Sequence, residues 1–540
     1  MPLLSILTIT LPLVGAGGIL VLSLVPRIRS YTCYLALVAA GFTTILLLTL
    51  RWIEPVMVVP SLWQPSLLFG AVLALETDTA MLPLALALAL ITFSAILMEL
   101  SCAEGPHLRL VIALLALLPA GFVALWAANP LTMIISWAFY DLLRAAGCLA
   151  AGSSARTAIR GLVFGGLATL LLWGGALLSD DGAGSELWSL MTPSGVQLTL
   201  WAAAGILRLW VYPFHLSAPD DISAGSSIAA PLLLGPVVGW GLWLRLATAN
   251  GGPIPGGAWV LTLAAVTLAV GGFLAWSCGA PRRMLAWIGV GITGAVLLAA
   301  GLAGESAGAV IVAGSVTWAL GIALLFLGNG LSREAPWWSI PSLVGALALV
   351  GVPLTLGFIA EATLIGGLTR GDRLEWGGAF VVGHLFLIPS LVRWLLLPPP
   401  SPLPDRRWPL VVRGVGLGLP VLLLIVAGLH PPLLISGLLT PPLGSLFTMP
   451  GLMGWLLWAV SLAGGGILAW QDGKLRPKIK LLLGAVHDLL RLEWLYGVMI
   501  GTLERGLGPL RVADEVVGGA GALLWSWLLF LLLLLVWGGK

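Results

Sequence analysis

Apolar residues in this chain do not alternate with polar ones. They fill long blocks, at residues 3–25, 31–50, 78–99, 107–127, 130–151, 158–178, 197–216, 228–248, 258–277, 284–304, 308–328, 339–367, 377–397, 409–428, 450–470 and 521–538. Most of these blocks approach the ~20 residues that an α-helix needs to cross hydrocarbon. Lipid offers no hydrogen-bond partners, so a spanning segment must satisfy its own backbone, and blocks of this length do so as helices. The pattern predicts an all-α, polytopic transmembrane helix bundle of about 14–16 helices. Residues 431–447 are apolar but rich in Pro and Gly, which predicts a loop or a re-entrant piece. Residues 471–520 mix charges with apolar positions at helical spacing, which predicts an amphipathic surface helix over 475–510 ahead of a final span at 521–538. The expected organisation is N-terminal spans over 1–100, a first five-helix unit over 101–250, a second over 251–400, and C-terminal helices over 401–540.

Composition narrows the class. Of 540 residues, 59% are hydrophobic and 9% charged. A water-soluble domain carries about 25% charged residues, so no water-facing surface can be built from this inventory. The net charge of +3 is spread along the chain and gives no reason to expect nucleic acid. Cys33, Cys102, Cys148 and Cys278 form no CxxC and lie at no metal-ligand spacing from His. With no flavin, nicotinamide or iron–sulfur motif either, no cofactor or metal is expected in this chain. The N-terminal block lacks a basic leader and reads as a first span rather than a cleaved signal. Trp52, Trp63, Trp188, Trp337 and Trp338 lie near block ends, where an indole suits the headgroup zone. Cations gather in the loops after odd-numbered spans, including Arg27, Arg29, Arg109, Arg156, Arg160, Arg282, Arg283, Arg406 and Arg407; Arg370 and Arg373 are the exception. By the positive-inside rule the odd loops are cytoplasmic, the membrane is the inner one, and both termini lie outside.

Two blocks are interrupted. One contains GILRLWVYPFHLSAPD, with Pro213 in mid-run; the other contains GVPLTLGFIAEATLIGG, with Pro353 and Gly357. Proline removes a backbone hydrogen bond, and such a break is tolerated in a membrane where the freed groups meet protein or water. Interrupted helices at the seventh and twelfth spans are five spans apart, as expected of two five-helix repeats of inverted topology. Ionisable residues in spans mark either a path or a structural pair. Asp141 and Arg144 share one helix face at i,i+3 and could neutralise each other. Arg208 and His215 flank Pro213, Glu361 lies one turn past the second break, and Glu76 and Asp78 open the third span. His384 and Arg393 fall in the thirteenth; His384 reads as a hydrogen-bonded packing residue. Asp141, Arg208, His215 and Glu361 are the candidate proton or ion path. The Gly-rich run GLVFGGLATL reads as a helix-packing surface.

Four motifs carry a family resemblance. AANPLTMIISWAF, RLWVYPFHLSAPD, PRRMLAWIGVGITG and GVPLTLGFIAEATL, in this order over residues 75–400, resemble segments of the antiporter-like membrane subunits of respiratory complex I, of multisubunit cation/proton antiporters and of membrane-bound hydrogenases. The resemblance implies proton movement along a mid-membrane row: Glu in span five, Lys in spans seven and eight, Lys in ten or eleven, Lys or Glu in twelve. Here those positions read Ala138, Arg208, Gly239, Trp318 with Ile322, and Glu361. Arg does not release its proton in proteins, and Ala, Gly, Trp and Ile carry none. Asp141, one turn beyond Ala138, could replace the lost carboxylate and pair with Arg208 as a fixed ionic lock. The resemblance therefore implies a complex I-like membrane-arm subunit with a degenerate charged path. Its partners would be other membrane subunits, lipids and quinone-reducing chains that carry the redox chemistry. Two alternatives stay open: a translocator with a rearranged path, or the membrane part of a cation/proton antiport or bicarbonate-uptake system.

Overall fold

The computed structural model describes residues 2–25, 31–53, 55–59, 72–101, 107–179, 184, 186–219, 221–222, 227–328, 336–369, 375–397, 407–441 and 443–506. Among them, thirteen helices are long and apolar enough to cross a membrane. These are α1 (Pro2–Ser23), α2 (Thr32–Leu50), α3 (Leu82–Leu100), α4 (Leu108–Trp126), α5 (Pro130–Ala150) and α6 (Ala155–Ala176) in the first part of the chain. After the shorter α7 (Gly195–Arg208) come α8 (Pro236–Ala249, entered through a 3-10 segment Ser227–Leu234), α9 (Gly257–Ser277), α10 (Pro281–Leu302) and α11 (Ala307–Gly328). Past the short α12 (Ile340–Leu349) and α13 (Phe358–Leu368) follow α14 (Glu375–Leu395), α15 (Arg407–Leu429), the one-turn α16 (Pro432–Ile435) and α17 (Met449–Lys478). The block at 521–538 lies outside the described residues. A two-stranded antiparallel ribbon pairs Met57 with Glu76 and Val58 with Leu75.

Helix starts follow local chemistry. Asn129 accepts from the Thr132 amide at the head of α5, just before Pro130, and Ser154 accepts from Thr157 N at the head of α6. Ser194 and Gln197 form a reciprocal capping box on α7. Both expected interruptions are present. α7 stops at Arg208, and the chain then turns through Pro213 into a three-residue 3-10 turn, His215–Ser217. α12 stops at Leu349, and α13 starts only at Phe358, beyond Pro353 and Gly357. Trp210 and Leu354 sit in these gaps with φ of 61° and 74°. For bulky residues this left-handed region costs about 1–3 kcal/mol, so the packing around both gaps must enforce it.

α3, α8, α10 and α11 form the centre, and α11 is buried along its whole length. α1, α6, α15 and α17 have wide exposed apolar faces, as lipid-facing helices should. Small residues bring the central helices close: a Cβ at Gly294 of α10 would stand 2.4 Å from the Leu268 backbone nitrogen of α9. Tryptophans fill the interior. Trp126, Trp137, Trp201, Trp210, Trp240, Trp243, Trp318 and Trp394 are all buried. Three donate their indole N–H to a neighbouring helix carbonyl: Trp201 to Leu172, Trp318 to Gly289 and Trp394 to Leu325. Trp188, expected at the headgroup level, is instead buried edge-on against Trp201.

The chain divides into two compact units, Met1–Lys478 and Ile479–Lys540. In the first, α17 continues as one helix through the charged residues 471–478. In the second, α18 (Lys480–Leu490) and α19 (Glu493–Gly506) are separate helices. The single surface helix expected over 475–510 is therefore split, with Leu492 at φ 58° between α18 and α19. α18 does carry the amphipathic pattern: Leu483 is buried, while Leu481 and Leu482 are exposed.

Crowding at Gly294 gives a packing test. Gly294→Ala should destabilise the purified chain by about 1–3 kcal/mol, seen as a lower Tm by tryptophan fluorescence in detergent. Gly418→Ala on α15, where nothing lies within 4 Å, should leave Tm unchanged or raise it.

Candidate functional site

The first charged cluster joins α5 to the end of α7. Asp141 faces inward on α5, and Arg208 is the last residue of α7; both are buried. The guanidinium meets the carboxylate in a two-pronged fork, Nη1 to Oδ1 at 3.0 Å and Nη2 to Oδ2 at 2.7 Å. The Arg208 plane also stacks on the Trp137 ring at 3.9 Å, and Nη2 reaches Thr169 Oγ1 at 3.5 Å. Gly165 makes room, since a Cβ there would lie 2.2 Å from Asp141 Oδ2. Arg144 does not neutralise Asp141, contrary to the i,i+3 reading. It donates to the carbonyls of Leu232 at 3.1 Å and Ser217 at 3.4 Å. Ala138 is exposed on the outer side of α5, so the inward carboxylate is one turn further on. Gly239, on α8, packs against Arg208 so tightly that a Cβ would lie 3.0 Å from the arginine Cβ. A larger residue there would require the Arg208 and Leu209 side chains to give way by a few tenths of an ångström.

The second cluster lies at the other break. Glu361, on α13, is buried, and its Oε1 lies 3.4 Å from His384 Nε2 on α14. His384 Nδ1 contacts the Phe380 carbonyl at 3.1 Å. Gly351, at φ 71°, approaches so closely that a Cβ would lie 2.3 Å from Glu361 Cβ. This position tolerates only glycine on both conformational and steric grounds. Beside Glu361 is a cavity of about 20 Å³, lined by Thr317, Gly314, Gly357 and Ile292 among others. That is room for about one water.

Two indole rings meet near both clusters. Trp210, two residues past Arg208, meets Trp318 of α11 edge-on at 5.5 Å between centroids. Trp318 adjoins Thr317, which lines the Glu361 cavity, and its N–H is spent on the Gly289 carbonyl. Ile322, the other residue expected on this row, is buried and apolar. His215 is buried between Tyr212 and Trp287, with centroids at 5.4 and 4.6 Å. The structure thus joins Asp141 to Arg208 and Glu361 to His384, and it packs His215 against Tyr212 and Trp287. Pro213, Pro353 and Gly357 sit in the turns that shape the two sites.

Three further polar anchors hold the bundle. Arg245 of α8 is buried and pairs with Glu76 at 3.4 Å and Asp78 at 3.5 Å. Arg393 and Arg476 converge on the C-terminal carbonyls of α9, both reaching Trp276 and Cys278. There they oppose the negative end of the helix dipole. Asp221, in the loop after the first break, accepts from Ser154 N and Thr157 Oγ1 at the start of α6. Partial burial works against its charged form, but the hydrogen bonds from Ser154, Thr157 and Ser153 prevail and hold its carboxyl below the usual range. No local pattern marks Arg245 as buried or His384 as the neighbour of Glu361.

No family model matches the chain. It is 26% identical to subunit N of the NADH-quinone oxidoreductase of Mycobacterium sp. (strain JLS) over 411 residues, covering 69% of this chain and 87% of that one. Alignments with further subunit N relatives span about half of their length. The fold is similar to a chain of the Mrp complex of Dietzia sp. DQ12-45-1b, with TM-score 0.73 and 18% identity over 99% of this chain and 62% of that chain. It is also similar to a chain of respiratory complex I of Thermus thermophilus, with TM-score 0.59 and 19% identity over 79% of this chain and 98% of that one. Sequence and fold together relate the chain to the antiporter-like membrane subunits, as the motifs implied.

Two outcomes follow from the buried pairs. Arg208→Gln leaves Asp141 charged and unpaired and should destabilise by about 3–5 kcal/mol. The double variant Asp141→Asn/Arg208→Gln should recover much of that loss in a denaturation cycle. For Asp221, a lowered folded-state pKa stabilises above the unfolded value and is lost as pH falls through the folded one. Amide exchange at the head of α6, corrected for intrinsic rate, should therefore speed up in acid. Asp221→Asn should abolish that dependence.

Proposed function

We propose that the chain is a membrane-arm subunit of a complex I-like assembly whose charged row is interrupted, so that it does not by itself carry protons from one half to the other. The Trp210–Trp318 contact carries this reading, because Trp210 lies two residues past Arg208 and Trp318 lies next to Thr317, which lines the Glu361 cavity. A proton wire needs groups that exchange protons or a file of water. Arg208 keeps its proton, and the indole N–H of Trp318 is a donor without a lone pair to accept. The names of the subunit N relatives and the antiporter-like fold support the assembly role. In this reading the partners are other membrane subunits and lipids, with quinone-reducing chains holding the redox centres. The chain itself needs no cofactor. It lies in the cytoplasmic membrane with its odd loops inside and both termini outside. The two broken helices then belong to repeats related by inversion. The candidate path residues Asp141, Arg208, His215 and Glu361 act locally rather than as one relay.

Proton flux into vesicles, followed with a pH dye, tests the reading. The reconstituted chain should give only background flux, unchanged by Glu361→Gln or Asp141→Asn. Flux above background that either variant abolishes would overturn it in favour of a rearranged path. Purifying the native complex separates the remaining alternatives. Quinone-reducing subunits are the expected partners. A soluble zinc-binding partner, or a set of antiporter chains alone, would point instead to bicarbonate uptake or cation/proton antiport.

A further inference from the structure

We infer that Glu361 and His384 hold one proton between them, forming a closed store in the second half of the bundle. His384 Nδ1 faces the Phe380 carbonyl at 3.1 Å. A carbonyl can only accept, so Nδ1 carries a hydrogen. In the neutral ring Nε2 is then a bare lone pair, and it lies 3.4 Å from Glu361 Oε1. An ionised carboxylate oxygen also offers only lone pairs. Two acceptors this close in a buried site repel, and neither atom has a hydrogen-bond partner. A proton between them removes the conflict. It rests on Oε1, with the acid donating to a neutral ring, or on Nε2, with an imidazolium donating to a carboxylate. Both forms are neutral overall, and passage between them moves one proton along one contact.

No other charge stands ready to balance the pair. Among the described residues, α9, α11 and α12, packed against these helices, carry no ionisable side chain except the terminal Cys278 beyond α9. On α10 the charged residues are Arg282 and Arg283 in its first turn, and on α17 they are Asp472, Lys474, Arg476 and Lys478 in its last turns. On α14 itself, Glu375 opens the helix and Arg393 is engaged with the carbonyls at the end of α9. The turn at Leu443–Phe447 is uncharged. Loss of the shared proton would leave an uncompensated carboxylate among apolar helices, and gain of a second would leave an uncompensated imidazolium. The one-water cavity beside Glu361 and Thr317, whose Oγ1 also has no partner, is the place where that proton can enter or leave. The tryptophans confine the exchange to this half. The geometry requires no partner subunit, so this inference and the assembly reading can fail separately.

Infrared difference spectroscopy of the purified chain in lipid nanodiscs, stepped from acid to alkaline buffer, tests the store. The expected signal is a protonated-carboxyl C=O band, downshifted in D2O, that is lost together with an imidazole change as pH rises. Glu361→Gln should remove the band. His384→Gln should leave the acid protonated throughout, so that the band no longer moves with pH. A difference spectrum unchanged by Glu361→Gln, or a carboxyl titration unchanged by His384→Gln, would overturn the proposal. Should His384→Gln fail to fold, 15N NMR of the chain's 5 histidines decides instead. The His384 Nε2 resonance should titrate in the unaltered chain and change its titration in Glu361→Gln; identical behaviour in the two would refute the shared proton.

Discussion

A charge carried into hydrocarbon must find its counter-charge inside the same protein, and the Asp141–Arg208 fork is where this bundle meets that demand most completely. Both carboxylate oxygens accept from one guanidinium, and Trp137 stacks on a face of the arginine. Its position at the last residue of α7 is as important as its strength. The pair ties the helix end to α5, and the chain beyond it is free to turn through Trp210 and Pro213 instead of continuing as a helix. Gly165 and Gly239 then allow α6 and α8 to close over it. In the proposed reading this pair is not a proton switch, because an arginine side chain does not release its proton in proteins.

The rest of the interior follows the same logic with apolar means. Where related folds are expected to carry lysines and histidines, this chain places glycine, isoleucine and tryptophan. Each substitution removes a titratable group, and the indoles also remove the space for water. Trp318 shows both effects: its ring fills the gap beside Trp210, and its N–H satisfies the Gly289 carbonyl. The second break has kept its acid, and it has acquired His384 as a neighbour. The two breaks thus hold different contacts, a two-pronged ion pair at one and, in our proposal, a shared proton at the other.

Much of this was legible in the sequence. Block length announced the spans, Pro213 and Pro353 marked the breaks, and the pairing of Asp141 with Arg208 followed from the missing carboxylate at Ala138. What stayed hidden has one physical cause. Helices that are apolar on every side do not reveal which face turns inward. His384 and Glu361 lie on different helices, and nothing in either block fixes their rotation. Arg245 lies near the end of its block, and its burial comes from the pairing of α8 with Glu76 and Asp78, which no local pattern marks. Trp188 was misplaced for the same reason: an indole near a block end suits a headgroup and a core equally. The continuous helix through 471–478 overrode a charge pattern that suggested a surface element, since α17 reaches past its apolar part before the chain turns.

An interrupted charged row requires a dry interior between the two clusters, and ordered water reports on that dryness. A cryo-EM map fine enough to resolve water in the assembled protein should show the cavity beside Glu361 and Thr317 holding no more than an isolated molecule. No water should bridge Trp318 and Trp210 toward Arg208. A continuous file of waters running from Glu361 past Trp318 to the Asp141–Arg208 pair would contradict the account.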